Sequence, residues 1–343
     1  MLDAVTDEGL RVVPYVLSVR ARLRPDTTRL RYPAALALRG WSRFDHPDPT
    51  RTLSRRASID LVHGTNYVVP PSRLPRLVSV YDCWALENPG AVHRDVRLMM
   101  GALGRAIATG AHVHTSSHAT EVRLRGFFPE VQATTVHLGA PDVPVAGSWP
   151  AVVPDDGPIV LALGTIERRK NLPFLVSAMS DVIGMVPAAR LVIAGGGGDD
   201  RSALESAIGN LPSRVGDRVH VIGRVSDEDA VGLLRGAAVV AYPSLDEGFG
   251  FPVLEAMGAD VPVVASKVGS LPEIAGDAAL LFHPDDRAGW SEALVSALTD
   301  HDLRRRLIDA GRVRLAVFSW TSTGRRLVGL YDDLVENRVR RGE

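Results

Sequence analysis

Glu247 and Glu255 stand eight residues apart in the run Asp246-Glu247-Gly248-Phe249-Gly250-Phe251-Pro252-Val253-Leu254-Glu255. Gly248 and Gly250 carry no side chain, and Pro252 fixes the first turn of a helix. Unpaired backbone N–H groups and the positive end of that helix are therefore presented together, which makes an anion site. Arg169 and Lys170 add two positive charges able to reach the same anion, a role that replaces a metal ion in binding a diphosphate. Lys occurs only twice in the chain against 37 Arg, so Lys170 is conspicuous. The bland alternative for the pair is a solvated helix start, and a Gly-x-Gly alone is often only a tight turn. Glu247 in the loop and Glu255 about one turn into the helix can face a cleft at different heights. A carboxylate accepts two hydroxyls at once, which suits the vicinal hydroxyls of ribose or of a sugar. For a random pair at this spacing, two surface glutamates are the plainer reading.

Such residues need strands that end where they begin. In the second half, residues 158–163 read as a buried strand. Asn171 then reads as the N-cap of a helix that has Pro173 in its first turn and runs to about Met185. Residues 190–194 form a strand, 195–198 a tight turn into a helix from Arg201, and 219–222 a third strand. Ser226 with Asp229 resembles a capping box for a helix over 227–235. A strand at 238–242, a short helix at 252–257 and strands at 261–265 and 279–282 complete a parallel, doubly wound sheet. Ligands bind beyond the carboxyl ends of such strands, where residues 164–171 and 246–255 fall. The first half offers strands at 11–19, 59–63, 77–81, 112–115 and 134–137 with a helix over 94–109, a second Rossmann-like α/β half. Prolines 141, 144, 150, 154 and 158 mark a linker. The expected domains are 1–150 and 151–343, facing across a cleft, with the last helix packing back on the first.

With 343 residues the chain can bury two cores. Hydrophobic residues at 45% and charged residues at 23% are globular values. No apolar run approaches the roughly 18 residues of a membrane span, so disordered and integral membrane classes are excluded. Cys83 is the only cysteine and no signal peptide opens the chain, which leads to the expectation of a reducing, cytoplasmic setting. The net charge of −1 hides +5 over residues 1–150 and −6 over 151–343, with eleven arginines against three acids between residues 10 and 59. Phosphorylated acceptors or peripheral contact with an anionic membrane face suit that stretch, as does a solvated surface in an arginine-rich chain. Nucleic acid is not expected, with aromatics at 6% and none of the usual modules. His118 and His137 lack partners at ligand spacing, so no metal is expected. Trp290 and Trp320 read as core or domain-bridging residues, and no motif marks Cys83 as a nucleophile. No Gly-x-Ser-x-Gly or Walker loop suggests a hydrolase or an NTPase.

The block from Asp246 to Glu255 resembles the Glu, seven residues, Glu signature of the family 4 retaining glycosyltransferases of GT-B fold. Gly164-Thr165-Ile166-Glu167-Arg168-Arg169-Lys170-Asn171 resembles their G-T-I-E-P-R-K-N segment, with Arg168 in place of the proline. Gly223-Arg224-Val225-Ser226-Asp227 is similar to the G-x-V-S-D loop by the nucleobase, and Gly269-Ser270-Leu271-Pro272-Glu273 extends the likeness, which covers most of residues 158–285. In the first half, His63-Gly64-Thr65-Asn66, Tyr81-Asp82 and Thr115-Ser116-Ser117 fall where the family has H-G-x-N, H-D and V-S.

The resemblance implies that Glu255 meets the donor ribose, Glu247 the transferred sugar, and Arg169 and Lys170 the diphosphate. It implies that Gly248, Phe249 and Gly250 supply backbone amides, with Gly164 and Thr165 in the donor site and Arg224 and Val225 near the base. Tyr81 and Asp82 fall beside the reacting sugar, and His63 and Asn66 on the acceptor side. Thr165, where many relatives have Arg, resembles the GDP-mannose mannosyltransferases acting on lipid-linked or polysaccharide acceptors. The chain departs from the pattern in having Tyr81 for a histidine. It also opens at what looks like the first helix, so that the family's first strand and Gly-rich loop fall ahead of Met1. A start of the protein further upstream is the expectation. The implied activity is metal-independent, retaining transfer of a hexose from a nucleotide sugar, with no cofactor beyond that co-substrate. A sugar-nucleotide 2-epimerase and a sugar-nucleotide-binding subunit without turnover are the competing readings.

Overall fold

A computed structural model describes residues 1–18, 26–55, 57–154 and 156–341. They form two compact units, Met1–Gly139 with Ser319–Glu343, and Ala140–Phe318. The break thus precedes the expected boundary at residue 150, and the physical reason lies in the linker. Arg235 donates to the carbonyls of Val143 and Pro144, and Trp149 lies against Gly236, so the proline-rich stretch is bound to helix Asp227–Gly236 of the second unit. The second unit ends at Phe318, short of the expected 343. The last helix, Trp320–Arg341, packs back on the first unit as expected, against the first helix, Leu2–Asp7.

In the second unit the strands are β7 (Ile159–Leu163), β8 (Arg190–Ala194), β9 (Val219–Gly223), β10 (Val239–Tyr242), β11 (Val263–Ser266) and β12 (Leu280–Phe282). All pair in parallel, in the order β12-β11-β10-β7-β8-β9. The inner strands β7, β8, β10 and β11 are near-continuous aliphatic runs because both faces are covered. On one side Leu175, Val176 and Met179 of helix Leu172–Met185 pack with Trp290, all fully buried. Each such side chain contributes on the order of 1.5–3 kcal/mol. Trp290 is therefore core, as its place in an amphipathic stretch suggests. The chain winds from β7 out to β9 and returns to β10 on the other side of β7, so the order reverses between β7 and β10. The carboxyl ends of those two strands frame the crevice of a doubly wound sheet.

The first unit holds β1 (Tyr15–Leu17) paired in parallel with β2 (Thr28–Leu30). A separate parallel sheet contains β3 (Val62–Gly64), β4 (Arg76–Val80), β5 (His112–Thr115) and β6 (Ala133–Thr135) in that order. The strand expected over 11–19 is thus shorter, and its last residue lies outside the described residues, as do Arg20, Arg22, Arg24 and Arg56 of the basic stretch. Helix Arg94–Ala108 matches the pattern read at 94–109.

Candidate functional site

Two loops build the site, one after β7 and one after β10. Gly164, at φ +137°, turns the chain out of β7. Residues Arg168–Lys170 form a single 3-10 turn, and Asn171 takes a left-handed conformation, φ 53° and ψ 35°. Asn171 occupies the N-cap position of helix Leu172–Met185, but its side chain does not cap: Nδ2 donates to the carbonyl of Pro284 at 3.1 Å. The expected side-chain cap is thus replaced by a tether, and Asn serves because it tolerates the left-handed backbone. Across the order reversal, the amide of Leu245 donates to the carbonyl of Arg169 at 2.7 Å, and Arg169 Nη1 donates to the carbonyl of Asp246 at 3.0 Å.

These links bring Arg169 and Lys170 onto Glu247. Arg169 Nη1 lies 2.8 Å and Lys170 Nζ 2.7 Å from the same Oε1, and only 7% of Glu247 is exposed. Lys170 also donates to Tyr242 Oη at 2.6 Å and sits 4.5 Å from the centre of that ring. Burial opposes ionisation of Glu247, but Lys170 and Arg169 outweigh it and hold its pKa below the ordinary carboxylate range. Burial draws Lys170 below the usual lysine value, with Glu247 opposing. Burial, then the adjacent negative charge of Glu247, pushes Tyr242 well above the usual phenol value. The centre is therefore one carboxylate shared by two cations beside a neutral phenol.

The same loop continues through Gly248 and Phe249 to Gly250, which heads helix Phe251–Gly258 with φ +101°, a backbone region that favours glycine. No side chain caps this helix, and Pro252 lies in its first turn. Phe249 is buried in edge-to-face contact with Phe251 and Phe318, so its ring anchors the loop while its main chain belongs to the site. Glu255 is half-buried on the helix, and burial raises its pKa. Arg224 and Val225 follow β9, two strands from β7, with Arg224 exposed beside Gly196. Thr165 is exposed.

Sequence reasoning missed Tyr242, whose place in an apolar strand gave no polar signal. It gave no role to Gly269 and Ser270, although Ser270 donates both its amide (3.0 Å) and its hydroxyl (3.1 Å) to the Glu247 carbonyl.

In the first unit both ring nitrogens of His63 are engaged within the fold. Its Nδ1 is 2.8 Å from Tyr331 Oη and its Nε2 is 2.8 Å from Ser79 Oγ. Ser79 Oγ is in turn 2.8 Å from His114 Nδ1, and His114 Nε2 is 2.9 Å from the carbonyl of Val136. With both imidazoles neutral and a carbonyl that only accepts, every proton is placed. His114 Nε2–H donates to Val136, Ser79 to His114 Nδ1, His63 Nε2–H to Ser79 and Tyr331 to His63 Nδ1. Burial lowers His63 to a pKa of about 3 and His114 to about 4, keeping both neutral. Asn66 is exposed, and Tyr81 is half-buried in edge-to-face contact with Tyr67. Asp82 Oδ1 accepts from the amide of Trp84 at 3.1 Å, and burial raises the pKa of Tyr81.

The profile of the family described as "Glycosyl transferases group 1" matches residues 148–314, which include every donor-side residue named above. The O-antigen chain mannosyltransferase B of Escherichia coli is 30% identical over 284 residues, 79% of this chain and 74% of that protein. The MMP alpha-(1->4)-mannosyltransferase of Mycolicibacterium hassiacum is 39% identical over 125 residues, 35% of this chain and 30% of that protein. Among solved structures, a sucrose-phosphate synthase from Thermosynechococcus elongatus superposes with a TM-score of 0.72 at 23% identity, over 97% of this chain and 91% of that one. The fold is thus GT-B, with two Rossmann-like units.

Proposed function

The chain belongs to the group 1 glycosyltransferases, and on that premise we propose that it moves a hexose, mannose foremost, from a nucleotide diphosphate sugar to a lipid-linked, polysaccharide or other glycoconjugate acceptor, with retention and without a metal. One observation carries this reading: Arg169 and Lys170 converge on buried Glu247 where the sheet order of the second unit reverses. Two cations fixed away from bulk water suit a diphosphate that no divalent ion neutralises. A bound diphosphate takes over the charge that Glu247 balances in the free protein. The carboxylate is then able to accept hydrogen bonds from sugar hydroxyls.

As the glycosidic bond breaks, negative charge grows on the departing phosphate oxygen. Arg169, Lys170 and the N-terminus of helix Phe251–Gly258 stabilise that state more than the ground state. An acceptor hydroxyl attacking the same face bonds to the anomeric carbon and passes its proton to that phosphate oxygen, which gives retention. Glu255 serves the ribose, and Arg224 with Val225 the base. Acceptor recognition falls to the first unit, at Asn66, Tyr81 and Asp82. The mannosyltransferase names of two relatives, together with Thr165, support mannose. The arginines of residues 10–59 suit contact with phosphorylated acceptors or an anionic membrane face in a cytoplasmic setting. Among the described residues no helix is long and apolar enough to cross a membrane.

Calorimetric titration tests the diphosphate anchor. GDP and GDP-mannose should bind with affinities within about tenfold of each other, and Lys170→Ala should weaken both by about ten- to a hundredfold, or 1.4–2.8 kcal/mol. Unchanged affinity in Lys170→Ala overturns the reading.

A further inference from the structure

Helix Leu271–Ala275 of the second unit has five residues, too few to stand on their own hydrogen bonds in water. Its place is set by whatever satisfies its ends. At the N-terminal end the Ser270 amide and hydroxyl both hold the Glu247 carbonyl, and Leu271 closes the space beside Gly250, where a Cβ would meet its Cδ2 at 2.7 Å. At the other end the Pro272 carbonyl accepts from the Gly276 amide and that of Ala275 from the Ala278 amide. The carbonyls of Glu273 and Ile274 are both met by one side chain. Arg314 Nε donates to Ile274 at 2.8 Å, and its Nη2 donates to Glu273.

The flat face of the same guanidinium lies over the ring of buried Phe318, with Cζ 5.0 Å from the ring centre. Phe318 in turn meets Phe249 edge to face at 5.8 Å. One planar group therefore ends two lines of contact on the loop after β10. The first runs through helix Leu271–Ala275 to the main chain at Glu247 and Gly250, and the second through Phe318 to the ring of Phe249. A fork of donors with a stacking face is Arg chemistry, which a Lys supplies only in part. Helix His301–Leu315, which carries Arg314, is itself set close on the helix that the loop heads: a Cβ at Gly311 would meet Met257 Cγ at 3.1 Å. We propose that Arg314 is a positioning residue for sugar transfer, holding residues 247–250 on the path that presents Glu247 and the backbone amides to the donor. This rests on the reading of that loop as the donor site. Without the guanidinium the Glu273 and Ile274 carbonyls turn to water, and Ser270 and Leu271 no longer fix Glu247 and Gly250. Donor affinity then falls, because the loop must be ordered again on binding.

Arg314→Met keeps an apolar contact with Phe318 and removes every donor. Two amides report the loop without any ligand: Ser270, bonded to the Glu247 carbonyl, and Val253, bonded to the Gly250 carbonyl, each at 3.0 Å. In Arg314→Met both should exchange with solvent at least about tenfold faster, while the amides of β8 keep their wild-type rates as an internal control. The Kd of GDP and of GDP-mannose, read by calorimetry, should rise at least about tenfold. Arg314→Lys restores a cation over the ring and should recover at least about threefold of each effect. Arg312→Met breaks the ion pair of Arg312 with Asp260 on the same helix and should match the wild type in both readouts. Wild-type exchange at Ser270 and Val253 in Arg314→Met overturns the proposal, and so does equal loosening in Arg312→Met. Faster exchange with unchanged nucleotide affinity also overturns it, since the residue would then support the fold alone. A wild-type chain that binds no nucleotide while the exchange pattern holds counts against the donor reading, and the hold of Arg314 on the loop stands.

Discussion

Replacing Glu247 by Ala leaves Arg169 and Lys170 buried side by side without their shared counter-charge, which costs about 3–5 kcal/mol in comparable buried pairs. A bound diphosphate restores that charge. Glu247→Ala is therefore expected to abolish turnover while donor affinity holds or rises. Lys170→Ala should raise the donor Kd and slow departure of the leaving group. Steady-state kinetics beside calorimetry separates the two, and unaltered kinetics in both would remove the site assignment. Tyr242→Phe keeps the ring beneath Lys170 but loses a hydrogen bond, and should cost about 1 kcal/mol of thermal stability. Arg169, Lys170 and Glu247 were legible because charged residues follow apolar strands at the ends where ligands bind. Tyr242 was not, because a tyrosine closing the run Val239–Tyr242 has the composition of core. The hydrogen-bond partners of His63 were not legible either. Its partners Ser79 and Tyr331 are 16 and 268 residues away in the chain, and no local pattern announces them.

The loop after β10 works only if its backbone keeps an unusual path. A Cβ on Gly250 would meet Leu271 Cδ2 at 2.7 Å, and one on Gly269 would meet the Glu247 carbonyl oxygen at 2.3 Å. Both residues also have positive φ, +101° and +51°. Gly269→Ala should therefore displace Glu247 and lower kcat much as Glu247→Ala does, with a stability loss of about 1–3 kcal/mol. Gly250→Ala should shift the start of helix Phe251–Gly258 and raise the donor KM. Circular dichroism with kinetics checks both, and wild-type KM and kcat in the pair would show that the loop path is not needed. Most strands of the second unit were readable to within a residue or two, since aliphatic runs covered on both faces stop sharply at Gly and Pro. The side-chain cap expected of Asn171 failed because the sequence cannot show that the preceding 3-10 turn demands a left-handed residue there.

The first unit should lose stability in acid. Tyr331, His63, Ser79, His114 and the Val136 carbonyl form one chain of hydrogen bonds in which burial keeps both imidazoles neutral. The folded values, about 3 and about 4, lie below the ordinary histidine value of 6.5. Well above pH 6.5 both states are neutral at these sites, so stability is independent of pH there. As pH falls from 6.5 toward 4, the unfolded chain binds protons that the folded unit refuses, and stability drops. Urea midpoints for the first unit should be level above pH 7 and decline below 6, and a level profile down to pH 4 would contradict the placement of the protons. The domain boundary was the least legible feature at this scale. Composition marks the proline-rich linker but not which unit it binds, and Arg235 decides that from far along the chain. The second unit is expected to hold a nucleotide diphosphate sugar through Arg169 and Lys170. The most direct measurement is the melting temperature of the wild-type chain and of Lys170→Ala with GDP-mannose, UDP-glucose, UDP-N-acetylglucosamine and the bare diphosphates. A rise selective for one nucleotide, shared by its bare diphosphate and lost in Lys170→Ala, is predicted. No rise with any of them, or an equal rise in Lys170→Ala, would contradict it.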